Sequence, residues 1–320
     1  MLTYSAYYKY YLLILIYQIM TIEIVGVTKV YDKRKILESV SLNIFNGEVM
    51  GFAGINGAGK TTTMKITAGV IFPTVGDVLV EDKSIVTDGK HAKFDIAWIP
   101  EASLFDPFQH PISLFLEYGS YFGKPHGEIK EQAQELMEMV GLDGLMKKRI
   151  GHFSNGMKKR LMIALSLFQD PVNYLFDETF TGLDPEGTRF LRENLIKLKS
   201  KGKAIMLSTH ILNELNGLAD KVAIIHNGRI VNVARVDEIM EYSVFIVRCD
   251  GEESKVRAAL EEFGSVIPSG KEYELHPSGK KPVSSWEIGK ALENSGSKVL
   301  SVERKEDTIE RYFFEKIGKN

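Results

Sequence analysis

The stretch Gly54-Ile-Asn-Gly-Ala-Gly-Lys-Thr-Thr62 constrains this chain more than any other. It follows an apolar run, Val49-Met-Gly-Phe-Ala53, which reads as a buried strand, and it precedes Thr63-Met-Lys-Ile-Thr-Ala68, which can run as a helix. Glycines at this spacing let backbone N–H groups turn inward with no Cβ in the way, forming an anion-binding nest at a helix N-terminus. Strand, glycine-rich loop, Lys-Thr and helix is the order a phosphate-binding loop requires. Gly54, Asn56, Gly57, Ala58, Gly59 and Thr62 then belong to the cradle. Lys60 would reach the β- and γ-phosphates, and the Thr61 hydroxyl would complete Mg²⁺ coordination. An ordinary Gly-rich strand-to-helix turn is the plain alternative, and the spacing and flanking pattern together weigh against it.

A second constellation lies downstream. Val172-Asn-Tyr-Leu-Phe176 is a buried strand that ends in two acids, Asp177 and Glu178. Parallel strands bring their C-terminal ends to one edge of a sheet, where ligands bind. Asp177 is thereby placed to hold Mg²⁺, and Glu178 to orient or deprotonate an attacking water. Ala204-Ile-Met-Leu-Ser-Thr209 is another buried strand and ends at His210.

At 320 residues with 44% hydrophobic content, the chain suits a large α/β domain plus a smaller one. A net charge of −2 and an isoelectric point near 6.4 argue against a general nucleic-acid binder. Cys249 is the single cysteine, so no internal disulfide forms and a reducing compartment is expected. Residues 1–19 differ from the rest: they are tyrosine-rich and carry the apolar run Leu12-Leu-Ile-Leu-Ile-Tyr17, about half the ~20 residues a spanning helix needs. Met20 opens a clean domain start, so residues 1–19 are expected to be a non-native extension, or else a short apolar tail. No other run is long enough to cross a bilayer.

Alternating strands are expected from Thr21 to Tyr31, Ser39 to Ile44 and Asp77 to Ile85, with a strand from Phe94 to Pro100 leading into Glu101. From about His110 to Lys148 the pattern is helical, with Ala133, Leu136, Met137 and Val140 on one face. Ser154 opens a buried helix reaching about Phe168, and Asp184-Pro185 caps another that stops before Gly202. Lys221 to Val233 is a hairpin around Asn227-Gly228. The Lys158-Lys-Arg160 cluster reads as a solvated face. Beyond residue 240 strands and helices alternate as in a small α+β domain of ferredoxin-like type, with strands at Val244–Cys249, Lys271–His276 and Lys298–Arg304.

Taken together, residues 21–234 resemble the ATPase subunit of an ATP-binding cassette (ABC) transporter. Phe153-Ser-Asn-Gly-Met157 sits where that family carries its signature, usually Leu-Ser-Gly-Gly-Gln. Gly182-Leu-Asp-Pro185 matches the D-loop, His210 the switch histidine, Glu101 the Q-loop position and Tyr31 the aromatic that stacks on adenine. Three positions depart from the family's pattern: Glu101 stands for Gln, Asn155 and Met157 stand in the signature, and Thr179 replaces a proline after the catalytic Glu.

The resemblance implies an ABC ATPase domain over residues 20–240, with a mixed sheet core, an antiparallel β subdomain and a helical subdomain at about 105–165, and an accessory α+β domain over 241–320. It implies ATP and Mg²⁺ as ligands, with catalytic Glu178, His210 and Lys60. Nucleotide contacts would come from Tyr31, the 54–62 loop, Ser154, Gly156 and Asp184, and metal contacts from Thr61, Asp177 and Glu101. ATP would lie between two such subunits, as a homo- or heterodimer, at the cytoplasmic face of the membrane against an integral membrane permease. An exporter is expected, and the carboxy-terminal extension is similar to those of single-cassette prokaryotic exporters. No nucleic acid is expected as a partner. The rival readings are a soluble ABC protein acting on the ribosome or DNA and a P-loop kinase or signalling NTPase.

Overall fold

A computed structural model describes residues 20–241, 244–270, 272–278, 283–305 and 308–318. The expectation for residues 1–19 lies outside the described residues. The chain divides into two compact units, with the division at Val233/Ala234.

In the first unit, β1 (Met20–Tyr31) and β2 (Arg34–Phe45) form a hairpin whose turn residues Asp32 and Lys33 both have positive φ, 45° and 66°. β3 (Val49–Ala53) leads into the glycine-rich loop. β4 (Val75–Val80) and β5 (Lys83–Ser84) complete an antiparallel sheet in the order β2-β1-β4-β5. The alternation from Asp77 to Ile85 thus belongs to two strands, not one. The chain reverses at Glu81-Asp82, again at positive φ (47° and 61°), and Lys83 pairs back on Val80. Glu-Asp is a weak turn signal beside Asn-Gly or Asp-Gly, so the apolar alternation runs on across the reversal and hides it.

β6 (Ile96–Ile99), β7 (Asn173–Asp177), β8 (Ala204–Thr209), β9 (Lys221–His226) and β10 (Arg229–Arg235) join β3 in a sheet ordered β10-β9-β3-β8-β7-β6. β3 pairs in parallel with β8 and β9, and β7 with β8 and β6. Every residue of β3, β7 and β8 is buried, which is why these strands read as unbroken apolar runs. Their register sets Ala53 opposite Thr209 and Asp177 opposite Ser208, so three C-terminal ends meet at one edge.

The helices of this unit are α1 (Lys60–Thr67), α2 (Gly89–Phe94), α3 (Pro111–Tyr121), α4 (His126–Met139), α5 (Asn155–Gln169) and α6 (Pro185–Ser200). α3, α4 and α5 enclose a core of their own around Phe115, Ile129, Met137, Leu161 and Phe168. The Phe115 and Phe168 rings meet edge to face at 5.3 Å, and the expected Ala133, Leu136, Met137 and Val140 face is buried. Asp184 caps α6 by accepting the Gly187 N–H at 2.9 Å, Pro185 takes the first turn, and Gly202 turns left-handed (φ 79°) just beyond the end. Among the described residues no helix is long and apolar enough to cross a membrane.

The second unit runs α7 (Val236–Glu241), β11 (Phe245–Asp250), α8 (Glu253–Glu261), β12 (Gly264–Ser269), β13 (Glu272–Pro277), α9 (Ser285–Asn294), β14 (Lys298–Arg304) and α10 (Thr308–Gly318). Its antiparallel sheet is ordered β12-β13-β11-β14, the ferredoxin-like arrangement of a βαββαβ chain. The sequence pattern missed β12 because it is an edge strand with Gly264 and Pro268 in it and only Val266 buried. Phe245, Val247, Leu260, Leu275, Ile288 and Leu292 fill the core. α9 starts at a capping box: Ser284 Oγ accepts the Glu287 N–H at 3.2 Å and Glu287 Oε2 accepts the Ser284 N–H at 2.8 Å. Ser284→Ala is expected to cost this unit about 1 kcal/mol, read as an earlier urea transition of the second unit in the full chain.

Candidate active site

The glycine-rich loop leaves β3 at Gly54 and enters α1 at Lys60. Gly54 is buried where a Cβ would lie 2.7 Å from the Ile225 carbonyl oxygen. Gly59 has φ 112° and would press a Cβ to 2.5 Å from Leu37 Cδ2, so neither position admits a side chain. Between them Ile55, Asn56 and Gly57 are exposed, while Ala58 is tucked under by N–H donation to the Ile55 carbonyl at 3.1 Å. The amides after Gly57 thus run into the start of α1, where four N–H groups have no partner within the helix.

Lys60 opens α1 yet is only 5% exposed. Its Nζ donates to the Gly54 carbonyl at 2.6 Å and lies 3.1 Å from Glu178 Oε1. β3 and β7 flank β8 with their C-terminal ends at the same edge, and Thr61 Oγ1 reaches Asp177 Oδ1 at 3.3 Å. His210, just past β8, sets Nδ1 2.7 Å from Glu178 Oε2. One carboxylate, Glu178, therefore bridges the loop lysine and the strand-end histidine. Glu178 itself is left-handed (φ 47°), a conformation that costs an ordinary residue about 1 kcal/mol or more and clusters at working sites. Burial raises the Asp177 carboxyl above the usual range; hydrogen bonds from Ser208 and Thr61 oppose this, and the charges of Glu178 and Glu101 add to it.

Other expected residues lie apart from this group. Glu101 is exposed and reaches the acids only through its charge. Tyr31 ends β1, is 44% exposed, and has the Lys29 ammonium 4.8 Å from its ring centroid. Ser154 is exposed and spends its hydroxyl as the N-cap of α5, accepting the Met157 N–H at 3.2 Å. Gly156 follows in the first turn, and Asp184 receives Arg160 Nη2 at 2.9 Å. Thr62 sits half-buried in α1.

Two features escaped the sequence pattern. Ser208 donates to Asp177 Oδ1 at 2.7 Å and accepts the Glu178 N–H at 3.0 Å, but a serine within an apolar strand carries no signal of its own. The solvated face expected of Lys158-Lys-Arg160 is corrected. Lys159 is 6% exposed and Arg160 has a side chain 15% exposed, because α5 is buried around most of its circumference.

The donor set suits a triphosphate with Mg²⁺. A nest of amides and a buried ammonium are groups that would suit an anion, and a hydroxyl and a carboxylate oxygen are the hard donors this metal takes. Among the described residues no group of three His, Cys, Asp or Glu side chains gathers as a metal site.

Residues 37–181 match the family described as ABC transporter. The chain is 31% identical to the bacitracin transport ATP-binding protein BcrA of Bacillus licheniformis over 304 residues, covering 93% of this chain and 97% of that protein. It is 30% identical to the Nod factor export ATP-binding protein I of Ralstonia nicotianae over 245 residues, 76% of this chain and 73% of that one. A solved structure of an ATP-binding subunit of an ABC transporter superposes with a TM-score of 0.65 at 29% identity, covering 68% of this chain and 91% of that one. An alignment to BcrA that takes in nearly the whole of both chains leaves one assignment: the chain belongs to the ABC transporter family, as an ATP-binding and ATP-hydrolysing subunit.

Proposed function

We propose that two such subunits, identical or not, close around ATP at the cytoplasmic face of a membrane and drive an integral permease in the direction of export. One observation carries the reading. Lys60, Thr61, Asp177, Glu178 and His210 gather at one sheet edge, while Ser154 stands exposed at a helix N-terminus with its hydroxyl turned into its own first turn. A γ-phosphate bound to this loop then needs its remaining donors from a second subunit's Ser154 and Gly156.

In the hydrolytic step Glu178 takes a proton from water as the water oxygen attacks the γ-phosphorus, and the bond to the ADP oxygen breaks. Lys60 and the amides of residues 57–62 carry the charge that develops on the phosphate oxygens. His210 orients Glu178 and senses the γ-phosphate beside it. Thr61 and Asp177, with the charge of Glu101 nearby, would hold Mg²⁺, which when bound neutralises the β- and γ-phosphate oxygens. Tyr31 offers a ring to adenine, and Asp184 lies at the loop that follows Glu178.

A groove of about 510 Å³ between β6 and the α3–α5 subdomain, lined by Trp98, Leu104, Phe105, Tyr118, Met162 and Leu165, offers the permease a seat. Leu104 is 81% exposed at its rim, the kind of surface that marks a protein partner. The relative named for Nod factor export supports the direction.

The test is to purify tagged Glu178→Gln protein from detergent-solubilised membranes with ATP and Mg²⁺ and identify by mass spectrometry what accompanies it. A polytopic membrane protein is expected. Ribosomal proteins or DNA without a membrane partner would overturn the reading in favour of a soluble ABC protein.

A further inference from the structure

Lysine is almost never fully buried without partners, yet Lys159 lies inside the first unit at 6% exposed. Its Nζ donates to the backbone carbonyls of Glu178 (3.2 Å), Thr179 (3.3 Å) and Thr181. An ammonium has three N–H donors, so the whole capacity of this side chain goes to one loop. The next residue, Arg160, donates from Nη2 to both Asp184 carboxylate oxygens at 2.9 and 3.2 Å. α5, whose N-cap is Ser154, therefore grips the Glu178–Asp184 loop at its beginning and at its end.

The loop needs such a hold. Glu178 is left-handed, and that conformation persists only when the surroundings over-determine it. On one side its N–H donates to the Ser208 carbonyl (3.2 Å) and hydroxyl (3.0 Å). On the other its carbonyl accepts from Lys159 and from the Thr181 N–H at 3.3 Å. Removing Lys159 would leave buried carbonyls with fewer donors, a situation proteins avoid.

We propose that Lys159 is a positioning residue for hydrolysis: it ties the backbone that carries Glu178 to the helix that presents Ser154, so that the base of one nucleotide site and the serine delivered to the other move as one body. The inference rests on Glu178 as the base and Ser154 as a donor to the second subunit's nucleotide. Burial draws the Lys159 ammonium below the ordinary lysine range, and the carboxylates of Glu101, Glu178, Glu214 and Asp177 hold it up.

The experiment compares Lys159→Met, which removes the charge at similar length, with Lys159→Arg, which keeps a multiple donor, in the full chain. The reporters are the Thr181 and Leu183 amides, which donate to the Glu178 and Phe180 carbonyls at 3.3 and 3.2 Å. In Lys159→Met their hydrogen exchange is expected to speed up about tenfold or more while residues 54–62 keep parental protection. kcat should fall about tenfold or more with KM changed by no more than about twofold, and Lys159→Arg should recover most of both. A folded Lys159→Met protein with parental exchange and parental kcat overturns the proposal, as does a loss that Arg does not recover. Should the Met variant fail to fold, Lys159→Gln, a neutral single-amide donor, is held to the same criteria. Undiminished turnover in Glu178→Gln would defeat the base assignment instead, and the exchange readout does not depend on it.

Discussion

Glu178→Gln is expected to lower ATP turnover about a hundredfold to ten-thousandfold, the usual worth of a positioned base, while nucleotide binding stays at the parental level. The geometry argues for so clean a separation. Lys60 Nζ lies 3.1 Å from Oε1, and a glutamine oxygen can still accept there. His210 Nδ1 lies 2.7 Å from Oε2, and a glutamine amide can still pair with that ring nitrogen. Shape and hydrogen bonding survive; only the charge and the basicity go. The lost charge also sat close to where a γ-phosphate binds, so its removal does not oppose binding. Stopped-flow nucleotide binding beside steady-state phosphate release checks both halves, and turnover within about threefold of the parent, well short of a base's contribution, would contradict the assignment.

Lys60→Ala is expected to fail at an earlier stage. Among the described residues this ammonium is the one side-chain cation that reaches both the Gly54 and Ile55 carbonyls and the Glu178 carboxylate. Charge-assisted hydrogen bonds each contribute about 1.5–3 kcal/mol, so two lost at the phosphates weaken ATP by about a hundredfold or more. The substitution also leaves Glu178, 6% exposed, without its buried partner. Breaking a buried pair from one side costs about 3–5 kcal/mol, more than the alanine gains in helix propensity, which is below about 1 kcal/mol. The nucleotide-free protein should therefore unfold at lower urea as well. Titration with a fluorescent ATP analogue and urea melts without nucleotide read the two effects, and parental affinity would remove Lys60 from the site.

Much of this arrangement was legible in the residues, for physical reasons that differ along the chain. The strand before Gly54 and the strand before Asp177 stand out because parallel strands buried on both faces must be apolar throughout. The α5 start was visible at Ser154 and the α6 start at Asp184-Pro185 because caps need particular residue types. The turn at Glu81-Asp82 was not, since its residues are unremarkable for a reversal and the alternation continues through it. β12 was not, since an exposed edge strand imposes little pattern. Ser208 and Lys159 show the deeper limit. Each matters through contacts with residues distant in sequence, Asp177 for one and the 178–181 carbonyls for the other, and nothing in the local pattern at either position records those contacts.

As proposed, this chain carries half of each nucleotide site, and a second subunit completes it. The most direct measurement is the mass in solution of purified Glu178→Gln protein by sedimentation velocity, with and without ATP and Mg²⁺. The expected mass doubles only when both are present and returns to that of one subunit when Ser154 is replaced by a bulky residue such as Arg. A protein that binds ATP with Mg²⁺ and stays a monomer at every concentration, with no second cassette subunit accompanying it from the membrane, would contradict it.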